Sequence, residues 1–284
     1  MSGVRLHSAP LILGAIICLT KPSVSLSQSV LLQIRPRVGD TLHLRLDQQT
    51  EMTGVRRGSE SPVTMTTTMR VYSRAIVERS APSATYVRAV TDSVRLTSSD
   101  ERSLNLSDEA RRSLEGRAMT LRISPDGTVS LADTSGDFSR DVAEAVSLMP
   151  AAFPHGPVEV GYTWSREMPL PGNGQVVAGN TSAAAWLHTK FRLDSVSRRG
   201  TYAYISVRGE MNPDPDAGTG TAVGPVLEKG SVSGTMIVDR ARGWLTESQF
   251  TVIAHSIVRV PGSDDTVMRF ETRVTQRMKT TEKR

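Results

Sequence analysis

Cysteine is all but absent from this 284-residue chain, and the only one, Cys18, lies within an apolar run near the N-terminus. Everything downstream of it therefore lacks a disulfide, a thiolate nucleophile and a thiolate metal site, so an exported fold must rest on its hydrophobic core. Long hydrophobic runs are missing too. The apolar stretch from Pro10 to Leu19 is about half the roughly twenty residues a membrane-spanning helix needs. No block of five or six basic residues with interleaved aromatics occurs, which makes nucleic acid a poor partner. The usual catalytic signatures are also wanting. There is no Gly-x-Ser-x-Gly, Ser-x-x-Lys or His-Glu-x-x-His, and no phosphate-binding glycine loop in a strand-to-helix setting.

What is present at the start is the pattern of a secretory leader. Arg5 supplies a positive n-region, Pro10 to Leu19 the apolar core, and Ser23, Ser25 and Ser27 the small residues before cleavage. Cleavage is expected after Ser27, which leaves Gln28 first and makes 1–27 the leader. Ile17 occupies the place where a lipoprotein signal carries a small residue before its cysteine, so Cys18 is not expected to be lipidated. Removing 1–27 takes two of 34 basic residues and none of 29 acidic ones, leaving 32 against 29 and lowering the charge from +5 to about +3. The expected location is the periplasm or cell envelope.

The rest of the chain alternates. Met268, Phe270, Thr272, Val274, Gln276 and Met278 fall on one face, Arg269, Glu271, Arg273, Thr275 and Arg277 on the other. This period of two marks a half-buried strand. Leu42, Leu44 and Leu46 alternate with His43, Arg45 and Asp47, and Met65, Thr67, Met69, Val71, Ala75 and Val77 form one side of a longer strand. Further strands are predicted at 83–97, 117–124, 127–132, 162–169, 181–197, 201–211, 231–239 and 243–260. Ser124-Pro125-Asp126-Gly127 is a strong turn signal, because proline presets φ and glycine accepts a positive one. Asp239 to Gly243, and Arg198-Arg199-Gly200, read as further hairpin connections. Strands this long exceed the five or six residues usual in small sandwiches.

The fold class that follows is mainly β: a large curved antiparallel sheet or incomplete barrel, built from two similar halves, with one or two short helices on its concave face. Phe138, Val142, Ala145, Val146 and Met149 recur at helical spacing before Pro150 and predict a helix over 138–149. Ser107-Asp108-Glu109-Ala110 predicts the start of a second short helix, with Ser107 as its cap. The first helix reads either as ordinary core packing or as a lid over a cavity. The halves show in three short echoes: Val38-Gly39-Asp40-Thr41 with Val160-Gly161-Tyr162-Thr163-Trp164, Val90 to Val94 with Leu193 to Val196, and Gly116 to Leu121 with Gly234 to Val238. They divide the mature chain into 28–153 and 154–284, expected to share one continuous domain and joined at Pro154-His155-Gly156-Pro157.

Residues able to carry chemistry do not cluster in the sequence. His43, His155, His188 and His255 have no partner at metal-ligand spacing. Asp214 and Asp216 resemble a calcium loop only faintly, since prolines separate the acids and no closing Glu follows. No metal or other cofactor is expected, and no enzyme. Trp164, Trp186 and Trp244 lie on predicted strands, where large apolar residues usually pack into a core. Ten methionines follow the leader, and such flexible thioethers suit either core gaps or adaptable apolar surfaces.

The valine-glycine steps at Val38-Gly39 and Val160-Gly161, the Ser124 to Gly127 hairpin and the closing Thr275-Gln276-Arg277-Met278 strand resemble a family of uncharacterised exported bacterial β proteins, a domain of unknown function of the DUF6263 kind. The likeness spans roughly residues 30–280. In architecture alone the chain also looks like the LolA and LolB half-barrels, which wrap an incomplete barrel around a helical lid and hold acyl chains. That second resemblance implies a lipid or other hydrophobic ligand, with no binding residue matched. The function expected is thus a non-catalytic envelope protein binding an apolar molecule in a curved sheet. The alternative is a structural or protein-interaction module with a filled core. Candidate ligand-binding residues are Phe138, Val142, Val146 and Met149 of the lid, and Trp164, Trp186, Met236 and Trp244 of the apolar face.

Overall fold

A computed structural model describes residues 29–55, 61–99, 111–112, 114–132, 153–171, 183–213, 225–259 and 267–281. The predicted leader, the predicted helix 138–149 and the start of the second predicted helix lie outside the described residues. Of that second helix, residues 111, 112 and 114 are seen in helical conformation, with the Glu115 N–H donating to the Arg111 carbonyl at 3.0 Å.

Eleven strands form: β1 (Thr41–Val55), β2 (Val63–Ala81), β3 (Ala84–Ser98), β4 (Ala118–Ile123), β5 (Val129–Leu131), β6 (Thr163–Pro171), β7 (Ala183–Val196), β8 (Tyr202–Pro213), β9 (Pro225–Asp239), β10 (Trp244–Arg259) and β11 (Val267–Thr281). They make one antiparallel sheet in the order β5-β4-β3-β2-β1-β11-β10-β9-β8-β7-β6. Two meanders, β1 to β5 and β6 to β11, are therefore sewn together where β1 pairs with β11, Leu46 opposite Met278 and Thr50 opposite Val274. The fold is mainly β, as the alternation requires.

The sheet cannot be flat. Ten inter-strand steps of about 4.8 Å would hold its edges roughly 48 Å apart. Yet the Phe153 N–H donates to the Asp126 carbonyl in the β4–β5 turn, and the Phe153 carbonyl accepts from Arg166 Nη2 on β6 at 2.9 Å. One residue thus touches both margins of the sheet, so the sheet rolls into an incomplete barrel with its seam between β5 and β6.

The two ends of this barrel differ. At one, which we term the base, short turns join β2 to β3, β4 to β5, β7 to β8 and β9 to β10. An extended segment crosses it: Val30 bridges Val158 in both directions (2.8 and 2.9 Å), the Ile34 N–H donates to the Pro125 carbonyl at 2.9 Å, and the Arg35 N–H donates to the Gly243 carbonyl at 2.8 Å. Val30, Leu32 and Ile34 alternate inward and are buried with Phe153, Phe191, Leu193, Ile205, Met236 and Val238 in the main core. At the other end, the rim, β1, β3, β6, β8 and β10 finish and β2, β7, β9 and β11 begin.

The two meanders repeat one device. The Gly39 N–H and the Asp40 carbonyl pair with Val77 of β2, both at 2.9 Å; the Gly161 N–H and the Tyr162 carbonyl pair with Leu193 of β7 at 2.7 and 3.0 Å. Both glycines have positive φ (87° and 91°), the conformation a two-residue step into an edge-on strand requires. A register shift follows each anchor, between Val77 and Arg79 and between Leu193 and Ser195. The equivalence corrects one predicted echo: the stretch that begins at Leu193 on β7 corresponds to the one that begins at Val77 on β2, not to Val90 to Val94 on β3. The echo between Gly116 and Gly234 falls on corresponding strands, β4 and β9, but is shifted. Leu121 pairs with Val87 as Met236 pairs with Ile205.

Candidate ligand-binding wall

Facing residues of an antiparallel pair project to the same side of the sheet, so the registers define one continuous inner face. At the base this face is filled. Above it, toward the rim, Leu187, Met211 and Val232 form a second buried cluster, against which Met168, Leu170, Leu227, Phe250, Val252 and Ala254 are only partly buried. Across the β1–β11 junction the inner positions Met52, Met65, Met69 and Phe270 continue the apolar surface with half-buried or exposed side chains.

All nine methionines at described positions take inner-face places: Met52 opposite Met65, Met69 opposite Gln48, Met119 opposite Ala89, Met168 opposite Leu187, Met211 opposite Gly230, Met236 opposite Ser248, Met268 opposite Val258 and Met278 opposite Leu46. Unbranched thioethers on a half-open wall can repack around guests of different shape. At two inner positions glycine faces a large residue. Gly234 lies opposite Phe250, whose ring occupies the space a Cβ would need, and Gly54 stands likewise beneath Phe270.

The candidate residues fall in different places. Trp164 (8% exposed), Met236 (2%) and Trp244 (8%) come together in the base core, with Trp164 stacked on Phe191 at 5.5 Å between centroids. They make the floor beneath the wall rather than the wall. Trp186, at 36% exposure, is not on the apolar face. Its neighbours Ala185, Leu187, Thr189, Phe191 and Leu193 point inward, so strand alternation turns it outward with His188, Lys190 and Arg192. Phe138, Val142, Val146 and Met149 lie outside the described residues. Of the wall residues, Met211 is one of the ten methionines after the predicted leader, whereas Leu187 and Val232 carry no signal beyond the alternation of β7 and β9.

The outer face is a lattice of cross-strand ion pairs. Asp47 accepts from Arg45 on its own strand (2.7 Å) and from Arg70 opposite it on β2 (2.5 Å). Burial acts to raise its carboxyl, but hydrogen bonds and charge from both arginines outweigh this and hold it below the usual carboxylate range. Glu247 is held low chiefly by the Arg277 hydrogen bond at 2.7 Å, against some burial and with help from the Lys279 charge. His188 and Glu167 pair at 3.2 Å on the same outward side. Among the described residues no three His, Cys, Asp or Glu side chains are grouped as metal ligands.

No family model matches the chain, so the likeness to the exported family of unknown function stands on its motifs alone, and no curated protein matches either. Solved structures similar to it include three from different settings. They are DynF from the dynemicin biosynthesis pathway of Micromonospora chersina (10% identity, 90% of this chain and 86% of that one, TM-score 0.21); an outer membrane channel from Pseudomonas putida F1 (9% identity, 86% and 96%, TM-score 0.22); and a domain assigned as an outer membrane lipoprotein-sorting protein from Vibrio parahaemolyticus (10% identity, 83% and 83%, TM-score 0.13). Likenesses this loose decide nothing about function. No described helix is long and apolar enough to cross a membrane, which leaves strands out of account.

Proposed function

We propose that this chain is an exported, non-catalytic protein of the bacterial cell envelope that holds a lipid or another apolar molecule against the inner wall of its rolled sheet. The observation that carries the reading is the contrast along one face. The base is packed with fully buried side chains, while nearer the rim only Leu187, Met211 and Val232 are buried and the apolar side chains around them, several of them methionines, stay half-buried or exposed. Apolar surface left unfilled inside a concave sheet is the form a small-molecule site takes. The sequence of 1–27 supports export, and the outward ion pairs suit a water-facing exterior.

The test is extraction of mature protein, purified under native conditions, followed by mass spectrometry and by titration with a neutral apolar fluorophore. Co-purifying acyl lipid and saturable fluorophore binding are expected. A ligand-free protein that also refuses the fluorophore would instead make it a packed envelope module.

A further inference from the structure

Along β6 the inner positions read Trp164, Arg166, Met168 and Leu170, so one guanidinium stands among apolar side chains. Arg166 faces Thr189 of β7, one of four buried polar residues among the described ones, which lies between Phe191 at the floor and Leu187 of the wall cluster. One of its five N–H donors, on Nη2, reaches the Phe153 carbonyl at 2.9 Å. Its Nε is shut off from water and has no acceptor. No carboxylate of the described residues pairs with it, whereas the arginines of the outer lattice sit on acids. A buried donor without a partner is costly, and a guanidinium edge matches the two oxygens of a carboxylate or phosphate.

We infer that Arg166 is the head-group site of an anionic amphiphile. Its carboxylate or phosphate takes the free donors of the guanidinium just above the floor, and its tail runs rimward over Met168, Leu170, Leu187 and Met211. The inference rests on the reading that the wall holds an apolar molecule, and it narrows the ligand to long-chain anions.

Four competitors for a neutral fluorophore separate the possibilities: palmitate, hexadecyl phosphate, hexadecanol and inorganic phosphate. Wild-type protein should bind one or both anionic amphiphiles about tenfold or more tighter than hexadecanol, the size expected of a charge-assisted hydrogen-bonded pair. Whichever anion wins identifies the head group. Arg166→Gln should abolish that preference while leaving hexadecanol within about twofold of its wild-type value, and Arg166→Lys should restore part of it. Equal binding of anions and alcohol by the wild type overturns the head-group site but leaves the apolar wall standing. A loss in Arg166→Gln shared equally by palmitate and hexadecanol also overturns it, since it reduces Arg166 to a brace for Phe153. Inorganic phosphate competing as well as hexadecyl phosphate would make the site an ion site and refute the amphiphile. If no chain-bearing ligand competes, the wall reading falls with it.

Discussion

Two glycines with the same backbone demand and different surroundings allow the crossing segment at the base to be weighed by itself. Gly39 (φ +87°) and Gly243 (φ +63°) both sit in the left-handed region, so replacing either by alanine costs about 1–2 kcal/mol from backbone sterics alone. A Cβ on Gly39 would have nothing within 4 Å. A Cβ on Gly243 would lie 2.6 Å from the carbonyl oxygen of Arg35 and 2.8 Å from its nitrogen, which are main-chain atoms unable to swing aside. Gly243→Ala must therefore push residues 34–36 off the β9–β10 turn. That lengthens the 2.8 Å bond from the Arg35 N–H to the Gly243 carbonyl, worth about 1 kcal/mol, and loosens the buried Ile34 beside it. The expected destabilisation is about 1–2 kcal/mol for Gly39→Ala and about 3–4 kcal/mol for Gly243→Ala, taking half of the burial of Ile34 as lost. Urea unfolding followed by far-ultraviolet circular dichroism reads both, with unchanged m-values guarding the comparison. Equal shifts for the two variants would refute the packing of this segment across the base.

Two other expectations bear on the faces of the sheet. Val252→Asp places a charge on the half-buried wall opposite Val232 and Val274, and it should abolish binding of an apolar fluorophore while the β signal and the cooperative unfolding transition survive. Unfolding, at a cost of several kcal/mol, would mean the wall is sealed core. On the outer face, Asp47 and Glu247 have folded pKa values below their unfolded ones. Their contribution is thus fully present above the unfolded carboxylate value of about 4 and is lost as pH falls through the lower folded values. The double variant Asp47→Asn, Glu247→Gln should lose less stability between neutral pH and pH 2 than wild type, by urea midpoints. An unchanged acid profile would count against these pairs.

Most strands were legible because their residues alternate and their turns carry Gly, Pro and Asp. The expected 83–97 and 117–124 fall within a residue of β3 and β4. The stretch 225–230 of β9 was not legible. It lies in a Gly- and Pro-rich passage, and only pairing with β10 through a bulge at His255 extends the strand there. The junction of β1 with β11 joins residues more than two hundred positions apart, and no local pattern encodes such a pairing. Trp186 shows the limit of reading residue type alone. Its size suggested core, while its parity against Leu187 and Phe191 already set it on the far side. Parity likewise places Arg166 between Trp164 and Met168, but not the carbonyl of Phe153 that holds it, because that contact depends on how the sheet rolls.

Cys18 is the only cysteine, so in protein expressed from Gln28 onward a single one can be introduced and labelled without background. Adjacent positions on β10 offer the comparison: Val252 faces inward opposite Val232 and Val274, and Ile253 faces outward opposite Ser231 and Arg273. With a polarity-sensitive label on Val252→Cys or on Ile253→Cys, addition of palmitate to delipidated protein should shift the emission of the first and leave the second unchanged. Equal responses at both positions, or none at either, would contradict an apolar guest held on the inner wall.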